Sequence, residues 1–347
     1  MRISQIRQRL CELGALPCHE HRVLQSWAQL RSLDNKHSKA EGFFPKAVLA
    51  DLPALWAELD KLAAIRSQHP AEDNAIRLLV ELADGQTVES VLLPRDGLCV
   101  STQVGCAVGC TFCMTGREGL LRQLGSAEIV AQVVLARHLR TVKKVVFMGM
   151  GEPAHNLDNV LEAIELLGKE GGIAHKNLVF STVGDRRIFQ RLIQGEVKPA
   201  LALSLHSTRA GLRAQLLPKA PRIDPEELVD LGEAYARATG YPIQYQWTLL
   251  AGINDGEDEL DGIVRLLSGK YAMLNLIPYN TVDALPYRRP DAERTAHMVR
   301  SLHQRGILAK TRNSAGQEID GGCGQLRARA LVRMDAVTHS PARIPLR

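Results

Sequence analysis

No stretch of this chain is apolar for long enough to cross a membrane, and its start, MRISQIRQRL, lacks the hydrophobic core of a signal peptide. A cytoplasmic protein without membrane attachment is the expectation. Seven cysteines, an odd number in 347 residues with no such leader, argue against a secreted disulfide framework. They read instead as cofactor ligands and reactive thiols. No Walker loop and no G-x-G-x-x-G follows a strand-like run, so neither a nucleoside triphosphate nor a nicotinamide cofactor is supported. The formal net charge of +5 is too small to announce a nucleic-acid binder. Its distribution is uneven, because residues 288–347 hold 12 Lys and Arg against 5 Asp and Glu. Such a sector reads equally as a strip lying along a phosphate backbone and as a solvated tail. With 45% hydrophobic and 23% charged residues the composition is ordinary for a globular protein. The length suits one large domain with small attachments.

Against these absences stands one dense stretch, LCVSTQVGCAVGCTFCMTG, from Leu98 to Gly116, which carries four of the seven cysteines. Cys106, Cys110 and Cys113 form C-x3-C-x2-C, and Cys99 lies seven residues upstream. Small residues, Ala107 and Gly109, let so short a loop fold three sulfurs inward onto one inorganic centre. Iron–sulfur clusters ordinarily take four cysteines. Three local ones leave a coordination position open, which is the mark of a catalytic rather than a structural metal centre. Spacing alone also admits a zinc site completed by His206 or Cys323.

Other words follow in a fixed order: VESVLLP (88–94), LCVSTQVGC (98–106), GMGEP (149–153), SLH (204–206), IPYN (277–280) and CGQL (323–326). With the cysteine motif, they resemble the radical-SAM RNA methyltransferases that modify adenosine at C2 or, in an antibiotic-resistance relative, at C8. The resemblance covers most of the chain. It implies an α/β fold, a partial (β/α)6 barrel with an N-terminal helical appendage and a small β-hairpin. It also implies one [4Fe-4S] cluster on Cys106, Cys110 and Cys113, with the fourth iron open to S-adenosylmethionine.

Taken along the chain, residues 2–31 predict two short helices joined at Gly14 to Pro17, with Ile3, Ile6, Leu10 and Leu13, then Val23, Leu24 and Trp27, at helical spacing. Arg2, Arg7, Arg9, Arg22 and Arg31 fall on or between the polar faces. In the family this region binds RNA; a plain amphipathic pair gives the same pattern. Helical spacing continues over 45–65, and a hairpin turns at Asp84-Gly85. From Leu98 to about Ala309 strand-like and helical runs alternate, predicting a parallel sheet. The expected division is 1–65 helical accessory region, 66–97 hairpin linker, 98–310 barrel, and 311–347 C-terminal extension with the basic tail. Barrel sites lie at the C-terminal ends of strands, and the family words fall there.

The resemblance also implies roles. Gly151, Glu152, Ser181, Ser204, Leu205, His206 and Asn280 match positions that bind S-adenosylmethionine; Glu152 in GMGEP is also a physically reasonable acceptor for an ammonium group. Glu89 sits where the family's general base lies, although its spacing to Cys99 is shorter here. Cys323, among Gly321, Gly322 and Gly324, matches the cysteine that carries the methyl group, and Cys99 matches the thiol that resolves the protein–RNA thioether, leaving a transient Cys99–Cys323 disulfide. Gln246 stands where the family has glutamate. An RNA partner (ribosomal, with transfer RNA as an alternative), an electron donor of flavodoxin or ferredoxin type, and a monomer are expected. The rival from another class is a zinc-bearing RNA-binding module without catalysis. The sequence does not choose between C2 and C8.

Overall fold

The computed structural model describes residues 1–34, 39–281 and 285–312. The chain begins with four helices, α1 (Ile3–Glu12), α2 (Pro17–Gln29), α3 (Ala40–Phe43) and α4 (Lys46–Asp60). Pro17 opens α2, where its missing N–H costs nothing. The helix expected over 45–65 stops at Asp60, and the chain turns directly into β1 (Ala63–Pro70), followed by β2 (Ile76–Leu82) and β3 (Thr87–Leu93). Ala63 and Ile65 are buried on one strand face, so the apolar spacing that looked helical continues here as a strand alternation. The hairpin at Asp84-Gly85 joins β2 to β3, with Gly85 at φ +80°.

After β4 (Gly97–Val100) come two short strands, β5 (Gln103–Gly105) and β6 (Leu120–Gln123), which pair with each other and bracket the cysteine loop. The chain then alternates: α5 (Ser126–Leu139), β7 (Lys144–Phe147), α6 (Leu157–Lys169), β8 (Leu178–Thr182), α7 (Arg186–Gln194), β9 (Ala200–Ser204), α8 (Ala210–Leu216), α9 (Pro225–Thr239), β10 (Ile243–Leu249), α10 (Glu257–Leu267), β11 (Ala272–Pro278), α11 (Ala292–Gln304) and β12 (Ala309–Thr311).

Ten strands form one sheet in the order β1-β2-β3-β4-β7-β8-β9-β10-β11-β12. From β4 to β12 every pairing is parallel, and β1 to β4 pair antiparallel. Six β/α units from β4 to α11 make the partial barrel. The hairpin strands are not a detached linker in space: they extend the barrel wall through β3–β4.

Strand alternation separates two interiors. Val145 and Phe147, Leu178 and Phe180, Leu201 and Leu203, Tyr245 and Trp247 belong to the main core that also holds α5, α6 and α9. The intervening Val146, Val179, Ala200 and Ala202 form a separate small cluster inside the barrel lumen. α1 and α2 join the same main core through Ile3, Ile6, Leu10, Val23 and Leu24. Their arginines are engaged as well: Arg2 pairs with Glu162, Arg7 with Glu170, and Arg9 with Asp51 and Glu58. Arg22 lies 4.4 Å over the Phe43 ring. Ser126 accepts the N–H of Ile3 at 2.7 Å and donates to Glu162 at 2.6 Å, tying α1 to α5 and α6. Gly125 takes the cap position.

Candidate active site

The cysteine loop leaves β5 and returns in β6, and its neck is closed by the Cys106 N–H donating to the Gly119 carbonyl at 2.9 Å. Within it the Cys113 N–H donates to the Cys110 carbonyl at 3.0 Å, which curls the second and third cysteines towards each other. Gly116 packs on Gly109 so closely that a Cβ on Gly116 would stand 2.8 Å from the Gly109 Cα. The loop is held down from the far side of the barrel. The Thr111 N–H donates to the Leu216 carbonyl at 3.0 Å, the Tyr287 hydroxyl donates to Thr111 Oγ1 at 2.7 Å, and Val108, Leu216, Leu250 and Tyr279 pack around Cys106.

A cavity of about 250 Å³ opens beneath this loop. That is several times the roughly 30 Å³ a water molecule claims in the liquid. Its wall brings together Cys106, Cys110, Cys113, Gly151, Glu152, Ser181, Ser204, His206 and Asn280, at the C-terminal ends of the barrel strands. Leu205 is not part of the wall; its side chain is fully buried in the main core, and its N–H donates to the Gln246 carbonyl at 3.0 Å. Cys323 lies outside the described residues.

Burial pushes the Cys106 thiol up to about 12, aided by Glu152 and Cys113. It raises Cys110 well above the ordinary thiol range and Cys113 in the same direction. Three thiols this buried and this close become thiolates only when a cationic centre takes their charge. A lone zinc ion requires its ligands about 2.3 Å from one point. In a polynuclear cluster each cysteine meets a different iron, which these three residues on one loop suit.

Glu152 is 4% exposed. Oε1 accepts the Ala154 N–H and Oε2 accepts the Val183 N–H, each at 3.0 Å. Burial raises its carboxyl, and the Thr182 hydroxyl and those amides oppose the rise. Gly151, at φ +103°, lets Gln103 lie against the backbone; a Cβ there would fall 2.6 Å from the Gln103 Cβ. Gln103 Oε1 accepts the Glu152 N–H at 2.7 Å. His206 takes a left-handed backbone, φ 58°, and Nδ1 accepts the Thr248 N–H at 3.0 Å. Burial, with Arg213 adding to it, pulls this imidazole down to about 3. The ring is therefore neutral, with its proton on Nε2. On the cavity wall the buried Asn280 Nδ2 has no acceptor among the described residues. A donor left open in a cavity fits a polar cofactor such as S-adenosylmethionine.

Cys99 and Glu89 stand on the lumen wall beside the cavity. Val91 of β3 lies opposite Cys99 of β4, so alternation turns Glu89 and Cys99 to the same face. The charge of Glu89 reaches both Cys99 and Cys113. Burial pushes the free Cys99 thiol up to about 11. Glu89 is 3% exposed and pairs with the equally buried Arg77 at 3.1 Å.

Residues 100–267 match the radical SAM superfamily. Over 331 residues the chain is 73% identical to a probable RNA methyltransferase of Aromatoleum aromaticum, spanning 95% of this chain and 93% of that protein. It is 72% identical to a probable RNA methyltransferase of Leptothrix cholodnii, with 95% of each chain covered. A radical SAM methyltransferase from Sphaerobacter thermophilus superposes with a TM-score of 0.79 at 33% identity, covering 94% of this chain and 97% of that one. The chain belongs to the radical SAM RNA methyltransferases.

The methyltransferase builds its site on residues that sequence reasoning passed over. Glu259, fully buried in the first turn of α10, accepts from the Ser207 hydroxyl at 2.6 Å, the Thr208 N–H at 2.8 Å and the Thr208 hydroxyl at 2.6 Å, fastening the loop after His206. Asn254, also fully buried, donates to the carbonyls of His206 and Thr248, both at 2.8 Å. Arg213 reaches the carbonyls of Val183 and Ser204. Each is a polar residue in a helix or loop whose importance arises only from distant backbone. The one local signal is the Asn254-Asp255 pair a few residues after β10.

Proposed function

We propose that this methyltransferase methylates a base carbon of adenosine in RNA, C2 of a ribosomal adenosine first, using a [4Fe-4S] cluster and S-adenosylmethionine. The observation that supports this most is the convergence of three thiols, Glu152 and the Ser204–His206 turn on one cavity, with Glu89 and Cys99 beside it on the lumen wall. Cys106, Cys110 and Cys113 would hold the cluster. Glu152, Gly151, Ser181, Ser204, His206 and Asn280 would hold S-adenosylmethionine. Bound there, the pair supplies one-electron chemistry, which an unactivated sp² carbon requires because it is a poor nucleophile.

The chain's own residues do the rest. Neutral His206 offers a fixed Nε2–H donor. Leu216, Leu250 and Tyr279 exclude water behind Cys106. Glu89, held by Arg77, takes the proton lost from the base carbon. Cys323 carries the methyl-derived carbon into the base as a thioether, and the Cys99 thiolate then attacks the Cys323 sulfur; the sulfur–carbon bond breaks with its electron pair passing to the methylene carbon, which takes up a proton to become the methyl group, and the disulfide formed must be opened by an external reductant. The base leaves its stack to reach the cavity.

The test is a denaturing gel after anaerobic incubation with S-adenosylmethionine, reductant and an adenosine-bearing RNA fragment. Cys99→Ala should give a shifted, nuclease-sensitive band, and Cys323→Ala neither band nor product. Full turnover by Cys99→Ala, or an adduct in Cys323→Ala, would mean the roles are wrongly assigned. Mass spectrometry of the RNA nucleosides then separates C2 from C8.

A further inference from the structure

Positive charge gathers on the inner wall of the barrel beside the cavity. Lys144 opens β7 in register with Gly97, two residues before the lumen residue Val146, and so shares its face. Across the lumen, Lys310 of β12 is in register with Asn275 of β11, which is in register with the cavity residue Gln246 of β10. Gln246, Asn275 and Lys310 thus form one row, roughly 10 Å from first strand to third at about 4.8 Å per strand. Arg312 follows, pinned by its N–H donating to the Leu276 carbonyl at 2.8 Å.

These cations feel one another. Half-burial, and then the charges of Arg312 and Lys310, pull the Lys144 ammonium below the usual lysine range. Arg312 also acts on Cys99. Among the described residues no carboxylate pairs with Lys144, Lys310 or Arg312, whereas the adjacent Lys143 is matched by Asp96 at 2.9 Å. In the same row, Gln246 Oε1 and Asn275 Oδ1 have no donor among the described residues, and the two side chains are only 3% and 1% exposed. The Gln246 amide is oriented by its Nε2–H donating to the Gln244 carbonyl at 3.0 Å, which leaves Oε1 turned away from that strand edge.

We propose that this wall is a nucleotide site for the RNA substrate, with a backbone phosphate among Lys144, Lys310 and Arg312 and amino donors of a base on the carbonyls of Gln246 and Asn275. Unmatched cations call for an anion, and a phosphate diester alone cannot satisfy two carbonyl acceptors. A nucleotide presents both chemistries at opposite ends. The site is a concave wall rather than a flat face, which suits a strand entering the barrel. This rests on the RNA reading above.

The test uses the cluster-loaded, full-length chain as wild type, Lys144→Gln, Lys310→Gln, the double variant, and Lys143→Gln as a control. Binding of a fluorescent adenosine-bearing RNA hairpin is followed by anisotropy across a salt series, with S-adenosylmethionine binding measured alongside. Each lysine variant should weaken RNA binding and reduce the slope of log affinity against log salt by about 1. S-adenosylmethionine binding should not move, and Lys143→Gln should match wild type. An unchanged slope in the double variant, or an equal loss in Lys143→Gln, overturns the site. So does competition by inorganic phosphate that depends on the two lysines while RNA binding does not. If wild type methylates RNA and the variants equal it, this site alone fails; if wild type neither binds nor methylates RNA, the functional reading fails with it.

Discussion

Arg77 of β2 and Glu89 of β3 reach each other diagonally across the strand pair in an ion pair 3.1 Å long, with both side chains only 3% exposed. Strand alternation places the pair inside the lumen, on the wall that carries Cys99. A charge so buried depends on its partner. Arg77→Met should therefore destabilise the protein by about 3–5 kcal/mol, because the buried Glu89 carboxylate loses its ion-pair partner, while Arg77→Met with Glu89→Met should recover most of the loss. Urea denaturation of the single and double variants checks this. Equal midpoints for Arg77→Met and wild type would show that the pair carries little.

The cysteine loop should fail without the loss of any ligand. A methyl group at Gly116 would meet the Gly109 backbone at 2.8 Å. Backbone cannot swing aside as a side chain does, so Gly116→Ala should lose most of its iron after reconstitution with all three thiols present. Iron and sulfide analysis, beside Cys106→Ala as the ligand-loss reference, decides the point. Full iron in Gly116→Ala would mean the two glycines need not touch.

Cysteine reactivity should follow burial. Cys11 and Cys18 are exposed, whereas Cys99 is buried and its thiol is pushed up to about 11. At pH 8 iodoacetamide should label Cys11 and Cys18 well before Cys99, whose labelling should await denaturant. Peptide mass spectrometry over a time course reads this directly. Rapid labelling of Cys99 in the folded chain would contradict its place in the lumen.

Acid should weaken the fold partly through His206. Its folded value is about 3 against the ordinary 6.5. Below 6.5 the unfolded chain takes up a proton that the folded chain refuses, so stability falls as pH drops from about 6.5 toward 3; above 6.5 both states are neutral here and the contribution is flat. His206→Asn, whose side chain tolerates the left-handed backbone, should lose less stability than wild type between pH 6.5 and 4. Parallel denaturation curves at each pH test it, and identical pH slopes would place His206 in a wetter setting.

Local patterns carried much of this architecture. The alternation of strand-like and helical runs, the glycine turn after Asp84 and the cysteine spacing each record a short-range constraint. All six barrel strands and the cavity's cysteines stand where those patterns put them. What stayed hidden depends on partners far along the chain. The apolar positions around Ala63 and Ile65 fit a helix until β2 lies beside them and makes them a strand. Leu205, in the middle of a cofactor word, follows directly on β9 and turns its side chain into the main core, away from the lumen that Ser204 faces. Glu259 and Asn254 look like ordinary surface polar residues until the loop after β9 folds onto them. The arginines of α1 read as an RNA-facing set, and in the fold their charge is spent on Glu162, Glu170, Asp51 and Glu58.

The docking of α1 also orders events during synthesis. Arg2 is matched by Glu162, 160 residues further on, and the Ile3 N–H by Ser126, 123 residues further on. At a translation rate of about 5–20 residues per second, the first helix waits roughly 8–30 s after it is made before its partners exist. During that interval Ile3, Ile6 and Leu10, all buried in the finished core, remain uncovered as the chain emerges. A segment made early is thus secured only once the second β/α unit of the barrel is complete, and its apolar face stays adhesive on the nascent chain until then.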